Sequence, residues 1–91
     1  MKHLDGKVVL LTGATGGIGQ GIAEAFAAEG ARLILTGRNQ EKLQALANKL
    51  SALTEVLAVV TDVTDETQVQ AAFRQAIERF QRLDILVNNA G

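Results

Sequence analysis

Four glycines stand in the seven positions from Gly13 to Gly19, within Thr12-Gly13-Ala14-Thr15-Gly16-Gly17-Ile18-Gly19. That density narrows what the chain can fold into more than any other feature, because glycine is only about 7% of an average chain. Lys7-Val8-Val9-Leu10-Leu11 runs up to it, an apolar stretch rich in β-branched residues and leucine, as in a buried strand. After it, Ile18, Ile22, Ala25 and Phe26 recur at helical spacing. The glycines therefore sit where a strand turns into a helix. Such a junction aims backbone N–H groups and the positive end of a helix dipole at an anion, typically a phosphate. Gly13 permits the sharp exit from the strand, Gly17 a close backbone approach to a pyrophosphate, and Gly19 close packing of helix on strand.

The spacing is G-x-x-x-G-x-G, which departs from the G-x-G-x-x-G of the usual dinucleotide fingerprint. Gly16 and Gly21 have the glycine spacing of a nucleoside-triphosphate loop, but Ile22-Ala23 follow where that loop needs Lys and Ser or Thr. The residues thereby argue against an NTPase. A net charge of -1 gives no electrostatic case for nucleic acid or an anionic membrane. With no cysteine, thiolate metal sites and disulfides do not arise, and no metal site is expected. His3 is the single histidine and stands in a polar terminus, where a solvated side chain is expected. Met1 to Lys7 lacks the apolar core of a signal peptide, and no apolar run approaches membrane-spanning length, so a cytoplasmic location is expected.

Strand and helix alternate through the rest of the chain without a linker. Gly30 fits a left-handed cap after the first helix, and Ala31 to Thr36 reads as the second strand. Asn39 fits an N-cap for a second helix whose inward stripe is Leu43, Leu46, Ala47, Leu50 and Leu53. Glu55 to Thr61 reads as the third strand. Asp65 and Gln68 have capping-box spacing at the head of a third helix, whose buried face is Val69, Ala72, Phe73, Ala76, Ile77 and Phe80. Leu83 to Val87 is the fourth strand, and Asn88-Asn89-Ala90-Gly91 follows it. Runs this apolar call for an α/β fold, a parallel sheet with helices on both faces. Right-handed crossovers allow the strand order 3-2-1-4, with the first two helices on one face and the third on the other. The crevice then opens between strands 1 and 4, where the winding reverses, and the Gly-rich loop and Asn88 to Gly91 converge there.

With these residues in place, the chain resembles the short-chain dehydrogenases/reductases. Thr12-Gly13-Ala14-Thr15-Gly16-Gly17-Ile18-Gly19 is similar to their T-G-x-x-x-G-x-G loop, and Asn88-Asn89-Ala90-Gly91 to their N-N-A-G motif after strand 4. Asp62-Val63 follows strand 3 where members hold the adenine. The resemblance covers the whole chain. It implies a Rossmann-like doubly wound parallel sheet of four strands and three helices, with residues 1–91 forming the N-terminal dinucleotide-binding part of a longer domain. The loop residues Gly13, Thr15, Gly16, Gly17, Ile18 and Gly19 would hold the pyrophosphate, with the Ile18 N–H at the helix start. Asp62 would accept from the adenine amino group and the Val63 N–H would meet the ring. The Asn88 backbone would lie against the adenosine ribose, Ala90 and Gly91 would also meet the cofactor, and Asn89 would tie neighbouring strands together.

Arg38 bears on which dinucleotide is bound. An acidic residue after strand 2 would hold the 2′-hydroxyl of NAD, whereas an arginine there accommodates the 2′-phosphate of NADP. The run is Thr36-Gly37-Arg38-Asn39, and the first acid is Glu41, so NADP is expected over NAD. One departure opposes this: many NADP-dependent relatives carry a basic residue at the place of Gly16. The family's catalytic Ser and Y-x-x-x-K do not occur, since the chain has no tyrosine. No catalytic residue is therefore expected in these 91 residues, and no turnover by them alone. The carbonyl substrate, of 3-oxoacyl or other ketone type, would be bound only by the complete enzyme. The alternative is a stand-alone nucleotide-binding or assembly module, and a methyltransferase would want a carboxylate in place of Arg38. Ile85-Leu86-Val87 forms an unguarded edge, so a homo-oligomer or self-association through strand 4 is expected.

Overall fold

The computed structural model describes residues 3–89; Ala90 and Gly91, expected at the cofactor, lie outside the described residues. The elements follow in the expected alternation: β1 (Val8–Leu11), α1 (Gly17–Ala28), β2 (Arg32–Gly37), α2 (Gln40–Leu50), β3 (Val56–Val60), α3 (Glu66–Phe80) and β4 (Ile85–Val87). All strands are parallel, in the order β3-β2-β1-β4. This is a Rossmann-like, doubly wound half-sheet. Strand ends differ from expectation by one or two residues, most at β4, which is three residues long.

Side chains alternate across each strand, so the apolar runs divide between two cores. Val9, Leu11, Leu33 and Leu35 pack under α1 and α2 with Ala23, Ala27, Leu43, Leu46 and Leu50. Val8, Leu10, Ile34 and Val59 pack under α3 with Ala72, Ala76 and Phe80. Every residue of β1 is buried, as a strand covered on both faces requires.

The buried helix faces differ from the apolar spacing of the sequence at three places. In α1 the buried stripe is Gly19, Ala23 and Ala27, whereas Ala25 is exposed, Ile18 is 75% exposed, and Ile22 and Phe26 are only partly buried on the flank. The cause is close approach: a Cβ on Gly19 would stand 2.1 Å from the Gly13 carbonyl oxygen, so only small residues fit the contact line. Leu53 lies beyond the end of α2 in a turn and is 56% exposed, because the helix stops at Leu50. Ile77 is exposed, since the line of contact between α3 and the sheet runs through Ala72, Ala76 and Phe80.

The helix ends obey their local chemistry. Gly30, at φ +85°, closes α1 with its N–H on Ala27 O and that of Ala31 on Phe26 O, a Schellman pair. Asn39 caps α2 by accepting from Lys42 N at 3.0 Å. Asp65 caps α3 by accepting from Thr67 N and Gln68 N. Gln68, however, reaches past the cap residue to take the Asp62 N–H at 2.8 Å, because the Asp65 N–H already donates to Asp62 O. The expected capping box is thus extended into a link between α3 and the end of β3.

Candidate functional site

β1 ends at the sheet's carboxyl edge, and Gly13 turns the chain away at φ +63°. The loop is fixed by Ala14 N–H on Thr36 O (3.0 Å) and by Gln20 Nε2 on Thr15 O (2.9 Å). Thr36 is itself buried in β2, with its hydroxyl donating to Leu11 O at 3.0 Å. Gly16 is the N-cap of α1 and offers no side-chain oxygen, and the first turn contains no acidic residue. The other helices differ on both counts: Asn39 and Asp65 cap them, and Glu41 and Glu66 stand in their first turns. The head of α1 is therefore the one helix start among the described residues whose N–H groups and dipole meet no side-chain cap or carboxylate. A Cβ on Gly17 would meet nothing within 4 Å, so that backbone faces open space.

β4 returns beside this loop. Thr12 Oγ1 accepts from Asn89 N at 2.9 Å and lies 3.1 Å from Asn88 Oδ1, while Asn89 Nδ2 donates to Gly13 O at 3.2 Å. Asn89 thus binds the end of β4 to the Gly-rich turn. Thr12 is the hub of this junction, and Thr36 buttresses it from β2; sequence reasoning assigned a role to neither. A threonine inside an otherwise apolar run was the available signal for Thr36.

Two hollows open along the carboxyl edge. One, of about 510 Å³, lies between the Gly-rich turn and the ends of β2 and β3, with Gly13, Thr15, Arg38, Thr61, Val63 and Thr64 among its walls. The other, of about 160 Å³, lies between the sheet and α3 and includes Thr12, Phe73, Leu86 and Asn88. They share Thr61 and Val63. Of the sequence-predicted residues, Gly13, Thr15, Arg38 and Val63 line the larger hollow and Asn88 the smaller. Gly16, Gly17, Ile18 and Gly19 form the head of α1.

Arg38 and Asp62, expected to touch different parts of a cofactor, touch each other: Nη2 lies 3.2 Å from Oδ1. The same Oδ1 accepts the Thr64 hydroxyl at 2.6 Å and the Thr64 N–H at 2.9 Å. The Thr64 hydroxyl foremost, then the Thr64 N–H, with Arg38 adding its charge, hold the Asp62 carboxyl below its ordinary value. Among the described residues no group of three or more His, Cys, Asp or Glu side chains could hold a metal ion, and no helix is long and apolar enough to cross a membrane.

A doubly wound sheet whose Gly-rich turn opens at the switch between β1 and β4 defines the class of dinucleotide-binding folds. Comparison with known proteins narrows this. The profile of the short chain dehydrogenases matches residues 7–91. The 1,6-dihydroxycyclohexa-2,4-diene-1-carboxylate dehydrogenase of Pseudomonas putida is 46% identical over 90 residues, covering 99% of this chain and 33% of that protein. The L-sorbose reductase of Gluconobacter frateurii, solved with NADPH and L-sorbose, superposes with a TM-score of 0.93 at 40% identity, covering 99% of this chain and 35% of that one. The 3-ketoacyl-(acyl-carrier-protein) reductase of Brucella melitensis, solved with NADH, gives 0.85 at 37% identity, covering 91% and 33%. The chain belongs to the short-chain dehydrogenase family of oxidoreductases. It spans about a third of the length of the relatives it matches.

Proposed function

We propose that this chain is the NADP(H)-binding part of a reductase or dehydrogenase that moves hydride between the nicotinamide and a carbonyl or alcohol, of 3-oxoacyl or other ketone type. The observation that carries the reading is the uncapped head of α1 opening beside a hollow with Arg38 at its rim. The residues suit a dinucleotide: backbone N–H groups for the pyrophosphate, bare space over Gly17, and a roomy cleft at the ends of β2 and β3. The Gly13 to Gly19 turn would hold the pyrophosphate, Asp62 and Val63 the adenine, and Asn88 the adenosine ribose. Bound there, the nicotinamide supplies the hydride chemistry. These 91 residues contain no tyrosine and so supply no proton-transferring Tyr.

Arg38 supports NADP(H) because a guanidinium pairs with a phosphate, and no acid stands after β2 to take a 2′-hydroxyl. The test is a titration of NADPH and NADH into the wild type and Arg38→Asp. A charge-assisted hydrogen bond is worth roughly 1.5–3 kcal/mol, so NADPH should bind about ten- to a hundredfold more tightly. Arg38→Asp should reverse the order. Equal affinities in the wild type overturn the reading.

A further inference from the structure

Arg38 meets the cleft already engaged. β2 and β3 are neighbours whose last paired residues are Gly37 and Val60, and the Thr61 N–H closes the ladder on Gly37 O at 2.8 Å. Arg38 follows Gly37 directly and Asp62 follows Thr61, so the two leave neighbouring strand ends close together. The two members of the pair are not equally free. Asp62 is held by the two Thr64 bonds to its carboxylate and by Gln68 on its own N–H. The Arg38 side chain is 70% exposed and, among the described residues, is held by a single hydrogen-bonded ion pair, Nη2 to Oδ1. Asp62 is thus the fixed post and Arg38 the movable arm. The arrangement has two opposed effects on an incoming 2′-phosphate: it parks the guanidinium at the cleft wall, and it cancels the guanidinium's charge.

We propose that Asp62 is a specificity-setting residue that acts through Arg38, moderating the discrimination between 2′-phosphorylated and 2′-hydroxyl dinucleotides. This rests on the reading of Arg38 as the 2′-phosphate partner. A phosphate entering the cleft meets a neutral pair and must draw Nη2 from the carboxylate. The carboxylate does not oppose a 2′-hydroxyl in this way, so the presence of Asp62 narrows the gap between the two ligands. Replacing Asp62 by a neutral residue leaves the guanidinium uncompensated and widens the gap.

The experiment measures the ratio of affinities for adenosine 2′,5′-bisphosphate and 5′-AMP. The two probes share adenine, ribose and 5′-phosphate, so any contact of Asp62 with the adenine cancels in the ratio. Asp62→Asn should raise the ratio up to about fivefold at low salt, the size expected when the phosphate no longer has to draw Arg38 out of one exposed ion pair. The gain should shrink as ionic strength rises. Asp62→Ser gives the same readout should the amide disturb the fold. In the Arg38→Gln background there is no ion pair to break, so the gain from Asp62→Asn should fall below about twofold. No rise with either Asp62 variant, or the same rise in both backgrounds, overturns the proposal. A wild-type ratio that Arg38→Gln leaves unchanged instead overturns the reading of Arg38 itself.

Discussion

At the scale of single residues, the glycines of the first turn have separate jobs that substitution can pull apart. A methyl group on Gly19 would be driven to 2.1 Å from the Gly13 oxygen and 3.0 Å from the Ala14 backbone, and backbone cannot step aside as a side chain can. Gly19→Ala should therefore lose about 1–3 kcal/mol of stability, the usual cost of overpacking, and lose dinucleotide binding with it. Gly17 faces open space, so Gly17→Ala should leave the unfolding free energy within about 0.5 kcal/mol of the wild type. Its methyl group would nevertheless occupy the room proposed for the pyrophosphate, and binding should weaken at least about tenfold. Urea unfolding beside cofactor titration checks the pair. Equal stability losses for both variants would contradict this division of labour. The sequence already marked these glycines through their density and their place between strand and helix. It did not reveal that Arg38 and Asp62 are partners, although the order β3-β2-β1-β4 sets their strands side by side, because a pairing between two loop residues 24 positions apart leaves no local pattern.

At the scale of elements, the strands were legible because both faces of the sheet are covered, which demands unbroken apolar runs in β1 and β2. The face of α1 was not, because helical spacing was counted in bulky residues while the close contact with the sheet selects Gly19, Ala23 and Ala27. The lock between β4 and β1 also escaped a reading by pattern, since it depends on one charged residue at a strand start. The Asp84 N–H donates to Val8 O at 2.9 Å, and its carboxylate accepts the Val8 N–H at 2.8 Å. Arg82 grips that carboxylate with Nε at 2.9 Å and Nη2 at 2.8 Å. The Arg82 bonds foremost, then the Val8 N–H, with the charge of Lys7 adding to them, hold the Asp84 carboxyl below its ordinary value. A carboxylate whose value is lower folded than unfolded stabilises the fold fully above the unfolded value, about 3.9, and loses that contribution as pH falls through the folded one. Asp84→Asn should thus lower the melting temperature at pH 7, and the gap to the wild type should close below about pH 4. Melting curves from pH 7 to pH 2.5 measure it, and a gap that stays constant across the range would remove the charge of Asp84 from the account.

At the scale of the whole molecule, the outer side of β4 is an edge, and it carries apolar residues. Ile85 and Val87 turn toward the α1 and α2 core, where they are partly buried. Leu86, the partner of Leu10 in the ladder, points to the α3 side and is 52% exposed over the hollow that Phe73 and Val69 also line. An edge of this kind pairs with another chain unless a charge, a proline or a covering segment blocks it, and Ile85-Leu86-Val87 contains none of the first two. The 91-residue polypeptide in isolation should therefore self-associate through β4, its weight-average mass climbing toward that of a dimer as concentration rises. Leu86→Lys should shift that rise at least about tenfold higher in concentration. Because Leu86 is half-exposed and stands at the rim of the α3 core, a lysine there can keep its stem on Phe73 and its charge in water, so the fold should survive the change. Sedimentation at several concentrations, with amide exchange over residues 83–88, reads both effects. A wild-type monomer at the highest concentration, with the β4 amides strongly protected, would mean that this edge is closed within a single chain and that Leu86 has no part in association.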